Sequence, residues 1–144
     1  MFKSWIIVSI GMILFLSCED ASSNQPTLTA AELDKKNSLV KKVMAVHDEA
    51  MPWLDDIHQL KKEIVSRTDS TNSDSTTLIL NQLIFSLDSA DEAMMSWMRV
   101  YREPNNSVSI DSMEVYLNDQ FEKATKMRNY MYSTIEETRQ FIEQ

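Results

Sequence analysis

The chain has 144 residues but only one glycine, one cysteine and three prolines. The glycine, Gly11, falls inside an N-terminal apolar run, so none follows it. Glycine-rich phosphate loops and dinucleotide fingerprints need backbone conformations that glycine alone adopts without strain, and they are excluded. Tight hairpins also lean on glycine at positive φ, which counts against a β-rich fold. The lone cysteine, Cys18, rules out internal disulfides, thiolate zinc clusters and c-haem attachment. Positive charge is scarce as well: 14 Lys and Arg against 22 Asp and Glu leave a net charge of −8. Nucleic acid and anionic lipid surfaces are both bound through clustered cations, and the composition argues against either partner. What remains is a small acidic chain of ordinary apolar content, and that combination points to helices.

The N-terminus reads as an address. Lys3 precedes an apolar stretch from Trp5 to Leu16, which Ser17-Cys18-Glu19-Asp20 ends. A cation, a short apolar run and a small residue before the break are the parts of a secretory signal. The run is well short of the roughly 20 residues a membrane-spanning helix needs. Leu14-Phe15-Leu16-Ser17-Cys18 resembles a bacterial lipobox, with Phe15 where leucine is commonest. The expectation is a lipoprotein signal over 1–17, cleaved to leave Cys18 acylated as the new N-terminus. An uncleaved anchor, or a signal with an incidental cysteine, is the alternative. Buried acyl chains contribute ~0.8 kcal/mol per CH2, and several together anchor stably. Residues 18–29 then form a flexible polar tether that contains Pro26. Cleavage removes Lys3 and no acid, so the mature chain is one unit more negative. Glu19 and Asp20 resemble the surface-export signal of Bacteroidetes-type lipoproteins, although in enteric bacteria acids there favour inner-membrane retention. The expected location is the cell envelope, with the outer membrane preferred.

Residues 30–144 carry helical periodicity. Thr29 with Glu32 makes a capping box, and the first helix is expected over about 30–67. The polar stretch from Thr68 to Ser75 ends it. A second helix over about 75–103 stops at Pro104, and a third over about 109–143 follows Asn105-Asn106-Ser107. The apolar stripes alternate at three and four residues, as in packed helices. Short connections make neighbours antiparallel, so the expected fold is all-α, an up-down-up three-helix bundle. Pro52 interrupts the first helix and frees the carbonyl of Asp48, where a kink is expected.

Two polar residues, His47 and Asp91, fall on the apolar seams, where each needs a partner. Counting from the first loop brings them to within about a turn of one level, as a buried pair or a register-fixing device. Methionines surround them: Met44 and Met51 flank His47 at three and four residues, and Met94 and Met98 are four apart on the second helix. Thioethers with one imidazole suit Cu(I), so His47, Met51, Asp91, Met94 and Met98 form a candidate ligand site, with His47, Met44 and Met51 as metal ligands. Methionine at helical spacing also serves as adaptable core filling, and that reading stands beside the first. Asp55 and His58 resemble half of a di-iron helix motif, but the chain has no second copy. No catalytic residue is expected, and no cofactor beyond the lipid on Cys18.

The segments His47-Asp48-Glu49-Ala50-Met51-Pro52 and Asp91-Glu92-Ala93-Met94-Met95-Ser96-Trp97-Met98 together resemble a group of small Bacteroidetes-type lipoproteins, loosely labelled viral A-type inclusion protein-like. The resemblance runs from about Val40 to Gln144. It implies an envelope lipoprotein in which the two segments form a common feature, and it transfers no catalytic residue. The expected function is that of a non-enzymatic scaffold or protein-interaction module held at the membrane by its lipid. The alternative is a soft-metal or small-ligand binding protein.

Overall fold

The computed structural model describes residues 28–70 and 73–143. The expected signal peptide, Cys18 and most of the tether lie outside the described residues. Four helices follow in order: α1 (Ala30–Ala50), α2 (Trp53–Ser70), α3 (Asp74–Val100) and α4 (Ile110–Ile142). Among the described residues there is no strand. The first expected helix is therefore two pieces, α1 and α2, which form one interrupted rod beside α3 and α4.

α1 starts at the expected capping box. The Thr29 hydroxyl accepts the Glu32 N–H at 3.3 Å, and the Glu32 carboxylate accepts the Thr29 N–H at 2.8 Å. The backbone N–H of Thr29, then its hydroxyl, holds the Glu32 carboxyl below the ordinary carboxylate range. A carboxyl depressed in the fold stabilises above its unfolded pKa, and that contribution is lost as pH falls through the folded value. Thr29→Ala should cost about 1 kcal/mol by thermal melting at neutral pH. The difference from the parent chain should narrow as the buffer is taken below pH 4, and a pH-independent difference would exclude the carboxylate half of the box.

The rod breaks where proline forces it. Met51 still donates its N–H to the His47 carbonyl at 2.9 Å, so the helix holds its register up to that residue. Pro52 has no N–H to offer the Asp48 carbonyl. The chain then tightens, with Leu54 N–H to Met51 C=O and Asp55 N–H to Pro52 C=O both at 3.2 Å and three residues apart. Proline thus sits at the mouth of α2, where its missing donor costs least. α3 opens behind Ser73 and ends at Val100, three residues before the expected Glu103. Tyr101 takes ψ 132°, leaving the helix early enough for residues 101–109 to fold over α1. There the buried ammonium of Lys36 donates to Asn106 Oδ1 at 2.9 Å and pairs with Glu103 at 3.0 Å.

The core runs the length of the bundle. Val43, Ala50, Ile57 and Ile64 come from the interrupted rod, Leu80, Leu87 and Met94 from α3, and Met113, Leu117, Ala124 and Met131 from α4. Most of these are the positions that the periodicity selects. Within the α4 stripe, Thr138 is fully buried, and its hydroxyl is satisfied by the Thr134 carbonyl at 2.7 Å.

Ion pairs record how the rods run. His58 and Lys61 on α2 meet Asp91 and Asp88 on α3, so rising numbers on one go with falling numbers on the other. Against α4 the numbers rise together: Lys35 with Glu114, Glu49 with Arg128, Asp56 with Arg139. The first two pairs keep one offset, two heptads apart. Beyond the proline break the partner of Asp56 is Arg139 rather than residue 135, a shift of about one helical turn. Packing follows the same division, since α1 lies chiefly on α4, whereas α2 packs on both α3 and α4. The backbones of α1 and α3 approach each other only sparsely.

Candidate functional site

His47 occupies the last full turn of α1, between Met44 and Met51 on one face of a helix that continues through Met51. Its Nδ1 lies 3.0 Å from Asp48 Oδ1, and its side chain is 12% exposed. Its ring faces Trp97 of α3, with centroids 5.6 Å apart and planes tilted by 32°.

The expected partner of His47 belongs to another histidine. Asp91 Oδ2 lies 3.6 Å from His58 Nε2, on the partly open rim between α2 and α3. The pairs His58–Asp91 and Lys61–Asp88 are successive rungs, three residues apart on each helix, and they mark the register that core packing gives α2 against α3. That register puts Trp97, not Asp91, beside His47. At the rim the Asp91 carboxylate keeps contact with water and avoids the cost of a buried unpaired charge.

The other sequence-selected residues also separate. Met94 is fully buried in the core, and Met44 packs against the core while partly exposed. Met51 is 37% exposed and Met98 is 39% exposed, so neither belongs to the interior. On α3 the seam passes from Met94 to Trp97 and Tyr101, which displaces Met98 outward. The five-residue cluster expected from sequence is thus not one site. Met44, His47 and Met51 stay together on α1, with Trp97 opposite. Among the described residues no group of three or more His, Cys, Asp or Glu side chains converges in a way that could hold a metal ion.

An aromatic row continues from this point. The rings of Trp97 and Tyr101 stack at 4.9 Å and those of Tyr101 and Tyr116 at 6.5 Å, linking α1, α3 and α4. The Tyr116 hydroxyl accepts the Arg102 N–H at 3.1 Å. Burial pushes the Tyr101 phenol up, and the Glu103 carboxylate and Tyr116 add to the shift. Among the described residues the buried Tyr101 hydroxyl and Trp97 indole N–H find no hydrogen-bond partner. Such groups cost ~1–3 kcal/mol each and stand out in a well-packed bundle.

Two clefts adjoin the row. One of about 570 Å³ lies under residues 101–109, between Val100, Pro104, Val108, Met113 and Tyr116, with Arg102 at its side. The other, about 410 Å³, runs along α3 and α4 past Ala93, Ser96, Trp97, Gln120 and Met127. Farther along this outer surface of α3, Leu78 and Phe85 are 71% and 66% exposed. They are seven residues apart and share a face. On the neighbouring Ser86 the carbonyl accepts the Tyr130 hydroxyl from α4 at 3.4 Å, so this face borders the α3–α4 seam.

Sequence reasoning missed Lys36, Trp97 as a core residue and the Leu78–Phe85 face. Lys36 continues the Val40 and Val43 stripe back by a turn, but its charge masks the position. Trp97 lies three residues after Met94, a spacing as good as that of Met98. Leu78 and Phe85 lie on a second stripe that only the packed fold separates from the first. No known protein family, curated protein or solved structure matches the chain.

Proposed function

We propose that this chain is a lipid-anchored envelope protein whose up-down-up antiparallel bundle is a non-enzymatic scaffold that docks a protein partner. The observation that carries the reading is the exposed Leu78–Phe85 face of α3. The core of the bundle is closed by other residues, and among the described residues these side chains stay largely exposed. Large apolar side chains grouped on one exposed helix face are what a partner helix or loop would cover. The order of the ion pairs supports the up-down-up reading. Among the described residues no helix is long and apolar enough to cross a membrane, so attachment in this reading rests on Cys18. The resemblance to small envelope lipoproteins and the lipobox-like Leu14–Cys18 support the same location. Once anchored, the acidic body is repelled by anionic headgroups and stands off the membrane.

The test is a variant that changes the face and spares the fold. Leu78→Asp with Phe85→Asp should leave the melting temperature within a few degrees of the parent, since exposed substitutions shift stability by roughly 0.5 kcal/mol or less. The same variant should lose the protein that chemical cross-linking joins to the parent chain in envelopes. Cross-linking unchanged in the double variant would remove this face as the docking surface.

A further inference from the structure

We infer that Met44, His47 and Met51 form a binding site for monovalent copper on the α3-facing side of α1, with the Trp97 ring as its wall. This site is independent of the docking face on α3. Four observations lead to it. First, the three residues lie one turn apart on a single uninterrupted helix. Met51 keeps its backbone hydrogen bond to His47 at 2.9 Å, so the i and i+4 relation is real despite the proline that follows. Side chains at such spacings are neighbours on the helix surface.

Second, the imidazole is prepared as a ligand. The Asp48 carboxylate lies 3.0 Å from Nδ1 and engages that nitrogen, which turns Nε2 away from it. A carboxylate on one ring nitrogen is the outer-shell arrangement that orients a histidine to ligate through the other. Third, the opposite wall is Trp97, whose ring stands 5.6 Å from that of His47 and whose buried indole N–H finds no partner among the described residues. A π face next to a desolvated cation attracts it. Fourth, the backbones of α1 and α3 approach each other sparsely, so this part of the bundle is spanned by long side chains that can re-form around an ion.

The donor set selects the metal. Two thioethers and one neutral imidazole bring no negative charge, so they do not offset the charge of a divalent ion. Soft, neutral donors in three-fold array suit Cu(I), whereas hard divalent ions prefer carboxylate oxygen. The complex keeps the single positive charge of the ion. The proline break contributes placement: α1 ends at Ala50 with Met51 as its cap, and that side chain is partly exposed, so the ion can enter from solvent.

The test uses the full chain carrying Cys18→Ser, purified in detergent, so that no thiol competes. Cu(I) is titrated without oxygen against bicinchoninate, with tryptophan fluorescence followed in parallel. The chain should withhold one equivalent of Cu(I) from the chelator, with quenching of fluorescence as it loads. His47→Ala, Met44→Leu and Met51→Leu should each weaken binding by tenfold or more while circular dichroism stays helical. Met95→Leu, an exposed control outside the site, should bind as the parent does. A parent that withholds no copper overturns the inference. So does a full equivalent retained by His47→Ala, or by the Met44→Leu and Met51→Leu double variant.

Discussion

Cys18→Ala should leave an unprocessed chain, longer than the mature form by residues 1–17, with no incorporated lipid label and none of it in the outer-membrane fraction. The expectation follows from the lipobox-like Leu14–Cys18 together with the chain's composition. The apolar stretch from Trp5 to Leu16 is too short to span a bilayer. The body is acidic, and among the described residues no helix can cross a membrane. In the proposed reading the attachment would come from covalent acyl chains on Cys18, at ~0.8 kcal/mol per buried CH2. Because signal cleavage at a lipobox follows acylation, one substitution should remove both. Pulse labelling with radioactive palmitate and fractionation of the envelope read the two effects separately. Normal maturation of the variant would mean that Cys18 is incidental and that the chain is located by other means.

The second large effect separates core from face with one kind of substitution. Leu117 is fully excluded from solvent and follows Met113 on the α4 stripe, while Leu78 is exposed on α3. Leu117→Ala should cost ~2–5 kcal/mol, because the transfer term is lost and the surrounding helices collapse only in part. In a domain of this size that is a fall in Tm of roughly 10–20 °C. It is also a large share of a total stability of about 5–15 kcal/mol. Leu78→Ala should change stability by roughly 0.5 kcal/mol or less. Urea titrations of both variants measure the difference. Equal costs would mean that Leu78 is covered within the molecule, and the docking reading would lose its observation.

The helices could be read from the chain because several signals agreed at each boundary. Thr29 and Glu32 opened α1, Pro52 interrupted it, and Ser109 opened α4. The core stripe could be read for the same reason, since Val43, Ile57, Leu87 and Leu117 recur at the spacing of a packed face. The site was only half readable. Periodicity showed that Met44, His47 and Met51 share a face, because that relation lies within one helix. The pairing of His47 with Asp91 depended on the level of one helix against another, and a count from the loop carries the error of both helix ends. Here the rungs His58–Asp91 and Lys61–Asp88 mark that level, and Trp97 took the place expected for Asp91. Lys36 was hidden for a different reason. A buried lysine is tolerated only when specific partners meet it, and Glu103 and Asn106 reach it from a loop some seventy residues away.

The measurement closest to the central claim is photo-cross-linking in intact cells, with a photoreactive amino acid placed at Phe85 and, as a control, at exposed Gln59 on α2. A protein that docks a partner on the outer face of α3 should give a discrete cross-linked product from position 85, absent from position 59 and lost when Leu78→Asp is added. No product from position 85, or the same products from both positions, would contradict the docking of a partner on α3.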